Sequence, residues 1–155
     1  LDGYQGWEDA VETARRLGAV LLVATQSNPA PLVGLGARLR VVPLAHEADR
    51  RRAHAAADVA LVTRRAPGGL PIKLLDALSR GLPVVAPRRA LAGLLARGVR
   101  VTADDDAGAL ARSAAELLRS PDARARLAEA GPAYVSEAHA PARFVRAFRT
   151  FLRGG

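Results

Sequence analysis

The chain has 155 residues, half of them apolar and a quarter charged; that is enough for one domain with its own core and too apolar for disorder. No stretch approaches the roughly 20 apolar residues that span a bilayer, and the absence of Cys excludes disulfides, thiol catalysis and cysteine-bound metal. The net charge of +8 rests on 22 Arg and a single Lys, Lys73, beside 34 Ala, a compositional habit that leaves the basic balance a weak guide to partners. Nucleic acid is not expected as a partner, because Arg interleaved with aromatics is its footprint. Here only six aromatics occur, three of them in the last helix. A small phosphorylated ligand or contact with an anionic membrane surface accounts for the sign equally well. The chain opens Leu1-Asp2-Gly3, without Met and without a basic and apolar leader pattern, so it is read as an excised piece, with no signal peptide expected.

Taken in order, residues 6–17 read as an amphipathic helix, with Trp7, Ala10, Val11, Ala14 and Leu17 at helical spacing and Gly18 as its stop. Residues 19–24 form a wholly apolar run suited to a strand covered on both faces, and 39–42 a weaker strand after a polar turn. A helix over 47–57 leads to a strand at 59–62. Pro67-Gly68-Gly69 breaks the chain before Pro71, the expected first position of a helix over 71–80, and Gly81 ends it. A strand at 83–86, a short helix over 90–96 and a strand at 99–101 follow. Asp104-Asp105-Asp106 reads as a cap for the helix over 107–119. Helices over 122–130 and 140–152 close the chain, the last with Phe144, Ala147, Phe148 and Phe151 on one face. Apolar strands alternating with helices predict an α/β domain, a doubly wound, Rossmann-like sheet of five parallel strands with helices on both faces.

In such a sheet, ligands sit at the carboxyl ends of strands, near helix N-termini whose unpaired N–H groups attract anions. Three loops leave strand ends there: Thr25-Gln26-Ser27-Asn28, the run from Thr63 through Arg64 and Arg65 to Leu70, and Pro87-Arg88-Arg89. The paired arginines offer fork-shaped donors to phosphate, or are surface pairs in an Arg-rich chain. Gly68-Gly69 ahead of a helix is a phosphate-cradle shape, although it is neither a Walker loop nor a dinucleotide fingerprint. Asp76, one turn into that helix, could accept from ribose hydroxyls or be an exposed helix carboxylate. His46 and His54 read as helix-flanking or surface groups, and Ser27 and Ser79 have no nucleophile-elbow context.

The stretch Gly69-Leu70-Pro71-Ile72-Lys73-Leu74-Leu75-Asp76-Ala77-Leu78-Ser79-Arg80-Gly81-Leu82-Pro83-Val84-Val85-Ala86 resembles the donor-site segment of GT-B fold glycosyltransferases of family 4 (glycosyl transferases group 1). Tyr4-Gln5-Gly6-Trp7 and the closing helices resemble the same family's frame. The resemblance implies the C-terminal, donor-binding domain of an enzyme moving a sugar from a nucleoside diphosphate sugar to an acceptor. It implies donor contacts from Thr63, Arg64, Gly68, Gly69, Leu70 and Lys73, ribose held by Asp76, no metal, and a cytoplasmic or membrane-peripheral location. It also implies a first strand and an N-terminal acceptor domain outside this chain, and no transfer by the domain alone. Asp76 stands where Glu is usual, Gly68 replaces a carboxylate that faces the donor sugar, and Gln5 replaces a Lys that meets the diphosphate; Lys73 or Arg64 could supply that charge. Two other readings stay open: a degenerate module that binds a nucleotide or partner without transfer, and a GT-B sugar-nucleotide epimerase.

Overall fold

A computed structural model describes residues 6–26, 30, 38–65, 69–94 and 96–152. Within them the helix–strand alternation is realised as α1 (Trp7–Leu17), β1 (Val20–Thr25), β2 (Arg38–Pro43), α2 (Glu47–Ala55), β3 (Ala60–Leu61), α3 (Ile72–Ser79), β4 (Val84–Ala86), β5 (Val99–Val101), α4 (Ala107–Arg119), α5 (Pro121–Ala138) and α6 (Pro141–Leu152). Every strand pair among the described residues is parallel. No helix among the described residues is long and apolar enough to cross a membrane.

Among the described residues the strands do not form one hydrogen-bonded sheet. β1 pairs with β2, and β3-β4-β5 make a second hydrogen-bonded set. The expectation of a single five-stranded sheet is therefore corrected: the sequence marks strands by their apolar runs, and pairing depends on which strand lies beside which.

β4 is the centre of the core. Val84, Val85 and Ala86 are all wholly buried, and the period of two sends them to opposite faces. Val84 and Ala86 join Leu74, Ala77 and Leu78 of α3 and Tyr134 of α5. Val85 joins Leu110, Ala114 and Leu117 of α4, with Leu17 of α1 and Leu61 packed against them. The continuous apolar run of β4 is what two covered faces demand. β1 is equally apolar but only half-buried throughout, with Val20 exposed, so it does not have the cover expected on both faces.

Three boundary shifts have a reason visible in the structure. Pro71 sits just before α3 rather than inside it, its carbonyl accepting from the Leu74 and Leu75 N–H groups. The short helix expected over 90–96 is a 3-10 turn at Arg88–Leu91. α5 does not stop at Gly131-Pro132 but runs on to Ala138. It does so because Gly131 packs so tightly on α3 that a Cβ there would lie 2.8 Å from the Leu78 carbonyl oxygen. Burial of Tyr134 beyond it then outweighs the proline's local preference. The Asp run behaves as expected, Asp106 accepting from the Ala109 N–H at 2.8 Å to cap α4.

A candidate donor site at the carboxyl end of β3

The loop that leaves β3 is built on a buried threonine and three arginines. Thr63 is only 6 % exposed and lies beneath Gly6, where a Cβ would sit 2.1 Å from the Thr63 carbonyl oxygen. Gly6 also has φ near 65°, a conformation that favours glycine. Two independent constraints therefore bring the start of α1 against the end of β3, and Thr63 stands behind the loop rather than on its surface.

Arg65 turns away from the loop toward α1. Its Nη2 meets Asp9 Oδ1 at 2.8 Å and its Nη1 lies 3.7 Å from Glu8 Oε2; the hydrogen bonds to Asp9 raise the Arg65 pKa above its usual value. Arg89 is a second brace. Its Nε donates to the Arg64 carbonyl at 3.2 Å and its Nη1 to the Asp105 carbonyl at 2.8 Å; the same Nη1 meets Asp105 Oδ2 at 2.9 Å. Of the two paired-arginine motifs, Arg65 and Arg89 thus tie β3, β4, α1 and the turn before α4 together. Arg88 is exposed on the 3-10 turn.

Arg64 belongs to the loop itself. Its Nη1 donates to the Gly69 carbonyl at 3.1 Å. Gly69 has φ near 67°, and a Cβ there would approach Arg64 Nη2 to 3.5 Å. Gly69 and Leu70 are exposed just ahead of α3, and Lys73 is exposed in its first turn. Arg64, Gly69, Leu70 and Lys73 therefore gather where the N–H groups of α3 begin, a place that favours anions. Gly68 lies outside the described residues. From the loop after β1, Gln26 donates to the Leu44 carbonyl at 2.6 Å, while Ser27 and Asn28 are also outside the described residues.

Asp76 is not the exposed helix carboxylate that its spacing allows. Its side chain is 20 % exposed and is clamped by Arg80 Nε at 2.9 Å, Arg50 Nη1 at 3.3 Å and His54 Nε2 at 3.6 Å. Glu47 completes the cluster, 2.7 Å from Arg80 Nη2. Burial would raise the Asp76 pKa, but hydrogen bonds from Arg80 and Arg50 outweigh it and hold the carboxyl below its usual range. The cluster joins α2 to α3, an arrangement invisible in sequence because Arg50 lies 26 positions away. His46 flanks α2 as expected, its N–H donating to Asp49 Oδ2 at 2.9 Å.

A cleft of about 300 Å³ lined by Arg51, His54, Arg80 and Pro83 opens at the other end of β4, where the strand begins.

The parallel α/β fold, with a basic, glycine-bearing loop at the carboxyl end of β3, places that loop where ligands sit in such folds. Sequence comparison makes the reading specific: residues 8–150 match the family model described as glycosyl transferase-like, and the chain belongs to that family. Its fold is that of GT-B glycosyltransferases. It is similar to WaaG, a glycosyltransferase involved in lipopolysaccharide biosynthesis, at TM-score 0.72 and 21% identity over 86% of this chain and 40% of that one. It is similar to Anabaena HepE, solved in complex with UDP and glucose, at TM-score 0.77 and 18% identity over 100% of this chain and 46% of that one. Sucrose-phosphate synthase from Thermosynechococcus elongatus gives TM-score 0.71 and 22% identity over 99% of this chain and 44% of that one. This chain therefore spans less than half of each of these three proteins. No curated protein matches the sequence.

Proposed function

We propose that this domain binds the nucleoside diphosphate sugar of a glycosyltransferase on the loop at the carboxyl end of β3. The observation that carries the reading is the loop into α3, where Gly69 is turned to positive φ beneath Arg64 and Lys73 stands in the first turn that follows. HepE, solved with UDP and glucose, supports the ligand class.

In this reading the diphosphate meets the N–H groups around Gly69 and Leu70, with Lys73 and Arg64 supplying charge. Transfer breaks the bond between the sugar's anomeric carbon and the diphosphate oxygen and forms one to an acceptor hydroxyl oxygen, whose proton passes in net to the released nucleoside diphosphate. Donors already in place stabilise the departing diphosphate without reorganising, so no metal is required of the site. Asp76 keeps lone pairs beyond those taken by Arg50 and Arg80, since a carboxylate offers about four acceptor positions, and these would take the ribose hydroxyls. The acceptor belongs to a facing domain, and closing the two aligns the reactants and excludes water; the domain alone does not turn over. In this reading the setting is cytoplasmic.

The test is a thermal-shift panel of UDP, ADP and GDP with and without EDTA, followed by calorimetry on the best. A ligand at 100 times its Kd stabilises by about 2.7 kcal/mol. The reading predicts such a shift for one of the three, unchanged by EDTA and reduced in Lys73→Ala. No shift with any of them at millimolar concentration would overturn it.

A further inference from the structure

The peptide between Gly69 and Leu70 is held by one edge. Arg64 Nη1 donates to the Gly69 carbonyl at 3.1 Å, and no peptide bond among the described residues is cis. In a trans peptide the C=O and the following N–H point to opposite edges. With its carbonyl turned to Arg64, this peptide therefore turns the Leu70 N–H away from Arg64. Gly69 takes up that arrangement at φ near 67°, where a Cβ would be strained.

The backbone around it has few other donors to offer. Pro71 has no N–H, and the Ile72 N–H is spent on the Leu70 carbonyl at 2.9 Å. The Leu70 N–H has no acceptor among the described residues. Exposure separates the groups as well: Gly69, Leu70 and Lys73 are exposed, whereas Arg64 is half-buried.

Arg64 is itself set on a fixed base. Arg89 Nε donates to the Arg64 carbonyl at 3.2 Å, and Asp105 Oδ2 holds Arg89 Nη1 at 2.9 Å. Thr63, the residue before, is buried beneath Gly6. A planar guanidinium anchored in this way carries direction as well as charge.

We infer that Arg64 is a positioning residue: through the Gly69 carbonyl it aims the Leu70 N–H at the donor's diphosphate. Its own charge then acts from behind the loop rather than by contact with phosphate. The inference rests on the donor reading above and assigns the direct contacts to the Leu70 N–H and Lys73. A donor aimed before the ligand arrives removes the cost of turning the peptide during binding.

The experiment follows the Leu70 amide by NMR in the isotope-labelled 155-residue chain and in Arg64→Ala and Lys73→Ala, with UDP, ADP and GDP as probes. The amides of Val85 and Leu110, both wholly buried, report whether each variant keeps its fold. Arg64→Gln, too short to reach the same carbonyl, stands in for Arg64→Ala if that variant does not fold.

Without ligand, the residual dipolar coupling of the Leu70 N–H should fit one fixed orientation in the wild type and in Lys73→Ala. In Arg64→Ala it should shrink toward zero. With the probe that binds, the Leu70 amide proton should move downfield in the wild type and hardly move in Arg64→Ala. By calorimetry, Arg64→Ala should weaken binding about tenfold, the order of one charge-assisted hydrogen bond. Gly69→Ala strains the same peptide and should weaken binding similarly, with the double variant no more than about twofold weaker than either single.

Two results would overturn the inference and leave the donor reading standing. The Leu70 coupling could be unchanged in unliganded Arg64→Ala. Or the losses from Arg64→Ala and Gly69→Ala could multiply, which would make Arg64 a direct phosphate contact. If Arg64 does hold the Leu70 peptide and yet none of the three probes binds, the donor reading falls, and this inference falls with it.

Discussion

Replacing Asp76 with Asn keeps the side chain's size and removes one negative charge from between Arg80, Arg50 and His54, at 2.9, 3.3 and 3.6 Å. Exposed ion pairs contribute about 0.2–1 kcal/mol, and breaking a fully buried pair costs about 3–5 kcal/mol. At 20 % exposure Asp76 lies between these limits. Arg50 and Arg80 both retain Glu47, at 3.5 and 2.7 Å, so neither cation is left without a counter-charge. That places the loss toward the lower limit, about 1–2 kcal/mol. For a domain near 150 residues each kcal/mol moves Tm by about 2–4 °C, so the melt at pH 7 should fall by about 2–8 °C.

The pH dependence provides an independent check. In the folded state the Asp76 carboxyl is held below its usual range: burial, which raises it, is outweighed by the hydrogen bonds from Arg80 and Arg50. A depressed folded pKa stabilises fully above the unfolded value of about 3.9, and the contribution fades as pH falls through the folded value. The gap between wild type and Asp76→Asn should therefore be full at pH 7 and close progressively below about pH 4. Thermal melts of both proteins from pH 7 to pH 3, with Arg80→Gln and the double variant at pH 7, measure it. A coupling of about 0.5 kcal/mol or more is expected between the two sites. Equal melts at pH 7, or a gap that does not change with pH, would refute the clamp and restore Asp76 as a solvated helix residue.

Lys73→Ala should weaken binding of the preferred nucleoside diphosphate by about fivefold, a loss near 1 kcal/mol for an exposed charge-assisted contact, and flatten its salt dependence; calorimetry at low and high salt checks both. Leu110→Ala should cost about 2–5 kcal/mol in urea unfolding, because Leu110 is wholly buried between α4 and Val85. Gly6→Ala should destabilise by about 1–3 kcal/mol, and by more than Gly18→Ala. Both glycines have positive φ, but a Cβ at Gly6 meets the Thr63 carbonyl oxygen at 2.1 Å, whereas at Gly18 nothing lies within 4 Å. Equal losses at the two glycines, by thermal melt, would show that the approach of α1 to β3 relaxes freely.

The elements themselves were legible in the sequence because each is specified locally. A wholly apolar run such as Val84-Val85-Ala86 between Gly81 and Pro87 admits little but a covered strand, and Gly18 and Gly81 at positive φ end α1 and α3 where the sequence places them. The Gly69-to-Val85 segment, with its regular alternation of glycine, helix and apolar strand, carried the family as well. Asp106 could be read as a cap because a cap needs only the residues that follow it.

What only the tertiary structure decided depends on partners far apart in the chain. Arg64 and Arg65 are adjacent and chemically identical, yet one lies over the loop to Gly69 and the other braces Asp9, 56 positions away. The continuation of α5 through Pro132 required Gly131 against Leu78 on another helix. Asp76 could be assigned a partner only once α2 and α3 lay side by side. The division of the strands into two sheets has the same cause. Apolar composition makes β1 and β4 look alike, but a strand's backbone bonds and cover come from its neighbours, and among the described strands β4 has one on each side where β1 has one.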